Sequence, residues 1–153
     1  MEKIASFTVN HNILTPGVYI SRVDMDDIVT YDLRLKHPNQ GDFLTPAVAH
    51  TAEHLFATYI RSCPIGKNVI YFGPMGCLTG FYLILKGVSH ETALAHMKEA
   101  AKFLRDYRGE IPGSQPIECG NYLLHDLDGC NREFAAYYDA IAGNTTDNLV
   151  YPK

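Results

Sequence analysis

The chain predicts an α+β fold, an antiparallel sheet covered by helices in two layers, and three observations carry that expectation. Runs rich in Val, Ile, Tyr and Leu come in neighbouring pairs with turn residues between them, 17–23 with 28–35 and 68–72 with 79–86, as hairpin strands do. Longer segments repeat apolar residues at helical spacing behind residues that cap helices. Hairpins and helices follow one another in blocks, which favours α+β over a doubly wound parallel sheet.

Taken in order, the first hairpin turns at Asp24-Met25-Asp26-Asp27. After the Pro38-Asn39-Gln40-Gly41 break, Thr45 followed by Pro46 starts a helix, because Thr caps the free N–H groups and Pro has none to lose. That helix is expected to run to about Arg61 and to stop before Pro64. The second hairpin turns at Gly73-Pro74-Met75-Gly76 and delivers Cys77 to a strand edge. Ser89 caps a second helix ending near Gly109, with Ala93, Met97, Ala100 and Leu104 along one face. A short strand around 121–125 and a third helix over about 129–142, ended by Gly143, complete the pattern.

With 153 residues, 46 % apolar and 20 % charged, and no repeat or linker, the chain reads as one domain over 1–153. A chain of this size buries roughly two thirds of its unfolded surface, so its core needs no metal or disulfide. Thirteen Lys and Arg against 17 Asp and Glu give a formal charge of −4 with no basic block, which argues against nucleic acid and anionic membranes as partners. No apolar run is long enough to span a bilayer, and Met1 to His11 lacks the features of a signal peptide. A cytoplasmic location is expected, where the four cysteines at 63, 77, 119 and 130 stay reduced. None of them forms a Cys-x-x-Cys pair, and the Asn144-Thr145-Thr146 sequon is expected to be idle.

The most informative segment is His50-Thr51-Ala52-Glu53-His54, an H-x-x-E-H pattern inside the first helix. At about 100° per residue, His50, Glu53 and His54 fall within one fan of roughly 100°. Val48, Ala52, Leu55 and Tyr59 share the opposite, apolar face. Two histidines one turn apart can grip a divalent ion, with the adjacent Glu placed for proton transfer. A catalytic ion normally takes three protein ligands, and the third is open among the cysteines, the other histidines and several acids. Cys119, beside Gly120, is one such candidate. Cys77 sits among three glycines and a proline in a fixed turn, where positive charge nearby would favour thiolate and make it a base or nucleophile. A cysteine that merely packs in a glycine-rich hairpin is the alternative. Cys63 and Cys130 read as structural, and His37, His90, His96 and His125 as solvent-facing or capping side chains.

Several segments together resemble one family, the LuxS enzymes or S-ribosylhomocysteine lyases. They are Ser6-Phe7-Thr8-Val9-Asn10-His11, Tyr31-Asp32-Leu33-Arg34, Pro38-Asn39, His50 to Leu55, Pro74-Met75-Gly76-Cys77-Leu78-Thr79-Gly80-Phe81-Tyr82, Glu118-Cys119-Gly120-Asn121-Tyr122 and His125-Asp126-Leu127, in the family's order. The resemblance implies a carbon–sulfur lyase that cleaves S-ribosylhomocysteine to homocysteine and 4,5-dihydroxy-2,3-pentanedione, the autoinducer-2 precursor. That would place it in quorum sensing and the methionine cycle. It implies His50, His54 and Cys119 as metal ligands for Fe²⁺, with Zn²⁺ found on isolation, one ion per subunit. It makes Glu53 and Cys77 the acid–base pair and brings Ser6, His11 and Arg34 to the ribose. By the same positional argument Arg61 and Tyr82 belong to the homocysteine end. The family is a homodimer whose sites are assembled from both subunits. A thioether leaves only when a carbonyl lies beta to it, so the sugar carbonyl must migrate from C1 to C3 by two enolisations, chemistry suited to a Lewis acid and two proton carriers.

One position departs from the family pattern: Tyr71 stands where an acidic residue is expected to hold the amino group of homocysteine, and a phenol carries no such charge at neutral pH. Two other classes compete with the lyase. A small H-x-x-E-H metallopeptidase has no use for Cys77, and a non-enzymatic binding module with a structural metal needs a fourth protein ligand.

Overall fold

The computed structural model describes residues 1–153. Four strands, β1 (Gly17–Asp24), β2 (Ile28–Arg34), β3 (Val69–Pro74) and β4 (Gly80–Lys86), form one antiparallel sheet in the order β1-β2-β4-β3. Both expected hairpins are present, and joining them through β2 and β4 places the ends of β2 and β4 beside the Cys77 turn: Arg34 pairs with Gly80. A Cβ on Gly80 would lie 2.3 Å from the Leu33 carbonyl oxygen, so only glycine lets the strands approach this closely at the rim of the turn.

Three helices, α1 (Pro46–Ser62), α2 (His90–Asp106) and α3 (Leu127–Ile141), cover one face of the sheet. The Thr45 hydroxyl accepts from Val48 N at 3.2 Å and Pro46 opens α1, as the sequence predicts. Ser89 caps α2 in the same way. Because strand side chains alternate, Val29, Tyr31, Leu33, Phe81, Leu83 and Leu85 face the helices. There they meet Leu55, Phe56 and Ile60 of α1, Met97 and Leu104 of α2, and Phe134 and Tyr137 of α3. Phe56, Phe72 and Phe81 stack in series at 4.1 and 5.2 Å between ring centroids. The core thus pins the apolar stripe of α1 and leaves His50, Glu53 and His54 half-buried on its other side. No helix is long and apolar enough to cross a membrane.

On the other face, Thr30, Ile70, Tyr71, Tyr82 and Ile84 remain partly or fully exposed and line a shallow groove of about 680 Å³ with Ile4 and Ala5. Two charged residues of that face, Asp32 and Arg34, are nonetheless buried. They pair through two hydrogen bonds of 3.1 and 2.6 Å, and the Tyr151 hydroxyl donates to the same carboxylate at 2.7 Å.

Two expectations need correction. Residues 121–125 do not form a strand: the chain there makes local turns, Leu124 N to Asn121 O at 3.2 Å and His125 N to Leu123 O at 3.0 Å. The Leu124 carbonyl serves His50 of α1 instead of a sheet neighbour. The third helix starts at Leu127 rather than near 129, because the Asp126 carboxylate caps it by accepting from Gly129 N at 2.8 Å.

Candidate metal centre and substrate cleft

The H-x-x-E-H pattern becomes a donor cluster through its main-chain surroundings. His50 Nδ1 lies 2.7 Å from the Leu124 carbonyl oxygen and His54 Nδ1 lies 2.7 Å from that of Pro112. A carbonyl only accepts, so both Nδ1 atoms carry the proton and both Nε2 atoms keep a free lone pair, the tautomer that binds metal. The two rings meet nearly edge-on, 80° between planes and 4.5 Å between centroids, which lets in-plane lone pairs converge. Cys119 Sγ lies 3.4 Å from His50 Nε2 and accepts from Asn121 N at 3.4 Å. An ion with tetrahedral bonds of about 2.3 Å to sulfur and about 2.0–2.1 Å to nitrogen separates such atoms by roughly 3.5 Å. The residues therefore fit a divalent metal.

A third histidine joins them. Ligand atoms of His50, His54 and His125 all lie within 4.8 Å of one another, a cluster that could hold a metal ion. His125 Nδ1 contacts the Thr51 hydroxyl at 2.9 Å, while its Nε2 is buried without a partner. Burial, then the charges of His50 and His54, holds the His125 imidazole below the usual histidine range. From the sequence His125 is expected to be solvent-facing or capping; here it meets Thr51 and the cluster, and no sequence signal marks that contact. Of the other three, His37 is exposed, His96 is half-buried, and His90 opens α2 with Nδ1 2.7 Å from the Tyr31 hydroxyl. Cys130 is buried in the core, and burial pushes its thiol up to about 12.

Gly113 backs His54. It has φ +71°, and a Cβ there would sit 3.0 Å from His54 Nδ1 and push the ring away from the Pro112 carbonyl. Gly113→Ala is expected to lower metal content by about 10-fold or more at limiting metal, a size typical for loss of a ligand's hydrogen-bond partner. Metal analysis after dialysis reads it, and unchanged content would mean that Pro112 does not orient His54.

The Cys77 turn builds a second feature. Met75 N bonds Gly80 O at 2.9 Å, Leu78 N bonds Met75 O at 3.0 Å, and Leu44 N, just before α1, bonds Leu78 O at 2.9 Å. These contacts hold Leu78 at φ 60°, a left-handed conformation costly for a branched side chain. The turn opens on a cleft of about 550 Å³ lined by Ser6, His11, Arg34, Cys77 and Tyr82, with Asn39 and Thr79. Arg34 Nη1 donates to Thr79 Oγ1 at 2.7 Å, and Thr79 Oγ1 lies 3.1 Å from Cys77 Sγ. Guanidinium only donates, so the Thr79 hydroxyl accepts from Arg34 and links it to the Cys77 sulfur. Burial opposes the Arg34 charge, but Asp32 outweighs it and holds the guanidinium above the ordinary arginine value. Burial, with help from Asp32, also raises Tyr82.

Five sequence candidates thus meet in one cleft, and His50, His54 and Cys119 meet in the donor cluster next to Glu53 on α1. Arg61 joins neither: its guanidinium donates to the Val69 and Ile70 carbonyls at 3.2 and 3.3 Å and ties α1 to the start of β3. Tyr71 lies over Gly73, where a Cβ would meet its hydroxyl at 2.0 Å, and lines the sheet groove with Tyr82. Thr79 was legible as part of a motif but not as the link between Arg34 and Cys77.

Comparison with known proteins places the chain in a family. The family model described as S-Ribosylhomocysteinase (LuxS) matches residues 4–148. A protein of Phocaeicola vulgatus named S-ribosylhomocysteine lyase is 45 % identical over 158 residues, covering 99 % of this chain and 98 % of its own. One of Clostridium acetobutylicum with the same name is 45 % identical over 161 residues and all of both chains. One of Porphyromonas gingivalis, again so named, is 43 % identical over 159 residues and 99 % of each. With a matching family model over nearly its whole length and relatives this similar from end to end, the chain belongs to the S-ribosylhomocysteinase (LuxS) family.

Proposed function

We propose that this protein is a metal-dependent carbon–sulfur lyase that cleaves S-ribosylhomocysteine to homocysteine and 4,5-dihydroxy-2,3-pentanedione. The observation that carries this reading is the full-length match at 45 % identity to relatives named S-ribosylhomocysteine lyase. The convergence of Arg34, Thr79 and Cys77 beside Ser6 and His11 supports it. The metallopeptidase and structural-metal alternatives are not favoured, since the relatives carry neither description.

His50, His54 and Cys119 would hold the ion, Fe²⁺ in the cell with Zn²⁺ as an isolable substitute, and when bound it supplies Lewis acidity without redox change. Cys77 takes a proton from one sugar carbon and returns it to the next, which moves the carbonyl along the chain. Glu53, on the donor face of α1, carries protons among the oxygens and assists the final elimination that expels homocysteine thiolate. Ser6, His11 and Arg34 bind the ribose hydroxyls, and Tyr82 packs at the homocysteine end, where Arg61 acts by fixing the start of β3. Tyr71 replaces a charge with a phenol, leaving the amino group to a neutral contact. The open sheet face fits a second copy of the chain, so that two sites form between subunits in a cytoplasmic homodimer. The dione then feeds autoinducer-2 synthesis and quorum sensing, while homocysteine returns to the methionine cycle.

Anaerobically purified, iron-loaded protein is expected to release thiol from S-ribosylhomocysteine in proportion to enzyme. No release from a folded, metal-loaded dimer would overturn the assignment.

A further inference from the structure

We infer that the segment Leu124–Asp126 is a clamp that sets the plane and tautomer of His50, and that His125 serves in it as a non-coordinating positioning residue. The inference rests on the metal-centre reading above. Three consecutive residues grip α1: the Leu124 carbonyl accepts from His50 Nδ1 at 2.7 Å, the His125 ring stacks on His50, and Asp126 N donates to Thr51 Oγ1 at 2.9 Å.

Two independent observations keep His125 out of the coordination shell. The first is the stack itself. The His50 and His125 rings are 4.3 Å apart and only 14° from parallel. A metal lies in the plane of an imidazole that binds it, about 2.0–2.1 Å from the nitrogen. Two planes running one above the other share no such point, whereas His50 and His54, at 80°, do.

The second observation is the Thr51 proton. Thr51 is fully buried, and its hydroxyl accepts the Asp126 amide, a group that can only donate. Its one remaining contact is His125 Nδ1, so the hydroxyl proton goes there. His125 then carries its own proton on Nε2 and offers no lone pair on that side. The same accounting gives the reverse tautomer to His50 and His54, whose Nδ1 atoms face carbonyls. Nε2 of His125 has no partner in the protein, so the clamp uses the ring face and Nδ1 alone.

Long-range ¹H–¹⁵N spectra of the histidine rings in zinc-loaded protein test this directly. The expected result is Nδ1–H with zinc on Nε2 for His50 and His54, and Nε2–H with no zinc for His125. Nδ1–H with metal-bound Nε2 at His125 would overturn the inference. Two variants give a second reading by chelator competition. His125→Phe keeps the stack and is expected to hold zinc within a few-fold of wild type. His125→Asn keeps a Thr51 contact but loses the stack, and is expected to weaken zinc binding by about 10–100-fold. Equal large losses in both would overturn the ring stack as what holds His50, and no loss in either would remove the clamp. Wild-type protein that binds no zinc would instead defeat the metal-centre reading.

Discussion

Cys77→Ala is expected to lower kcat/KM for thiol release from S-ribosylhomocysteine by about 10³-fold, within the range of about 10²–10⁴ that a positioned proton carrier contributes. The substitution removes the sulfur beside the Thr79 hydroxyl and leaves the Arg34–Asp32 pair intact. Glu53→Gln should fall by a comparable factor, because the amide keeps the shape of the side chain and cannot take up a proton. Neither residue is assigned to the metal, so metal content and melting temperature should stay at wild-type values in both. A Cys77→Ala protein that still turns over at a tenth of the wild-type rate would remove the thiol from the chemistry. A Glu53→Gln protein that loses its metal along with its activity would show that Glu53 supports His54 rather than moving protons.

The second large effect is on stability. Asp32 is wholly buried and Arg34 is 3 % exposed, so Asp32→Ala strands a guanidinium away from water. Removing one partner of a buried pair typically costs about 3–5 kcal/mol, a large part of the net stability of a domain this size. In the same change the Tyr151 hydroxyl loses its acceptor and Arg34 keeps only Thr79. Urea unfolding followed by far-ultraviolet circular dichroism should show the midpoint falling by a molar or more. The exposed Arg22–Asp24 pair is the control, because solvated pairs contribute little. A small shift for Asp32→Ala would mean that Arg34 finds water or a new partner when its carboxylate is gone.

Where local chemistry decides structure, the sequence was readable. Thr45-Pro46 marks a helix start whatever packs on it, and the apolar spacing of α1 places His50, Glu53 and His54 on the opposite side. Both hairpins follow from their turn residues. The parts that could not be read depend on partners far along the chain. Residues 121–125 look strand-like because they are short and partly apolar, but the Leu124 carbonyl bonds a side chain of α1, more than 70 positions earlier. Asp126 is a helix cap hidden in a motif read for its histidine. Thr51 and His125 acquire meaning only when 74 residues of separation close to 2.9 Å. Arg61 is the opposite case, a charge placed by resemblance near the substrate whose donors reach the β3 main chain instead.

The connection between α2 and α3 belongs to neither the sheet nor a helix, yet side chains of α1 hold it at Pro112, Leu124 and Asp126. Two of those side chains are the histidines of the donor cluster. Order in this segment and occupancy of the cluster are therefore two sides of one linked equilibrium: binding at the histidines raises the free energy of local opening by mass action, and chelation lowers it. Loss of an ion from the cluster should loosen this connection while the rest of the fold keeps its global stability.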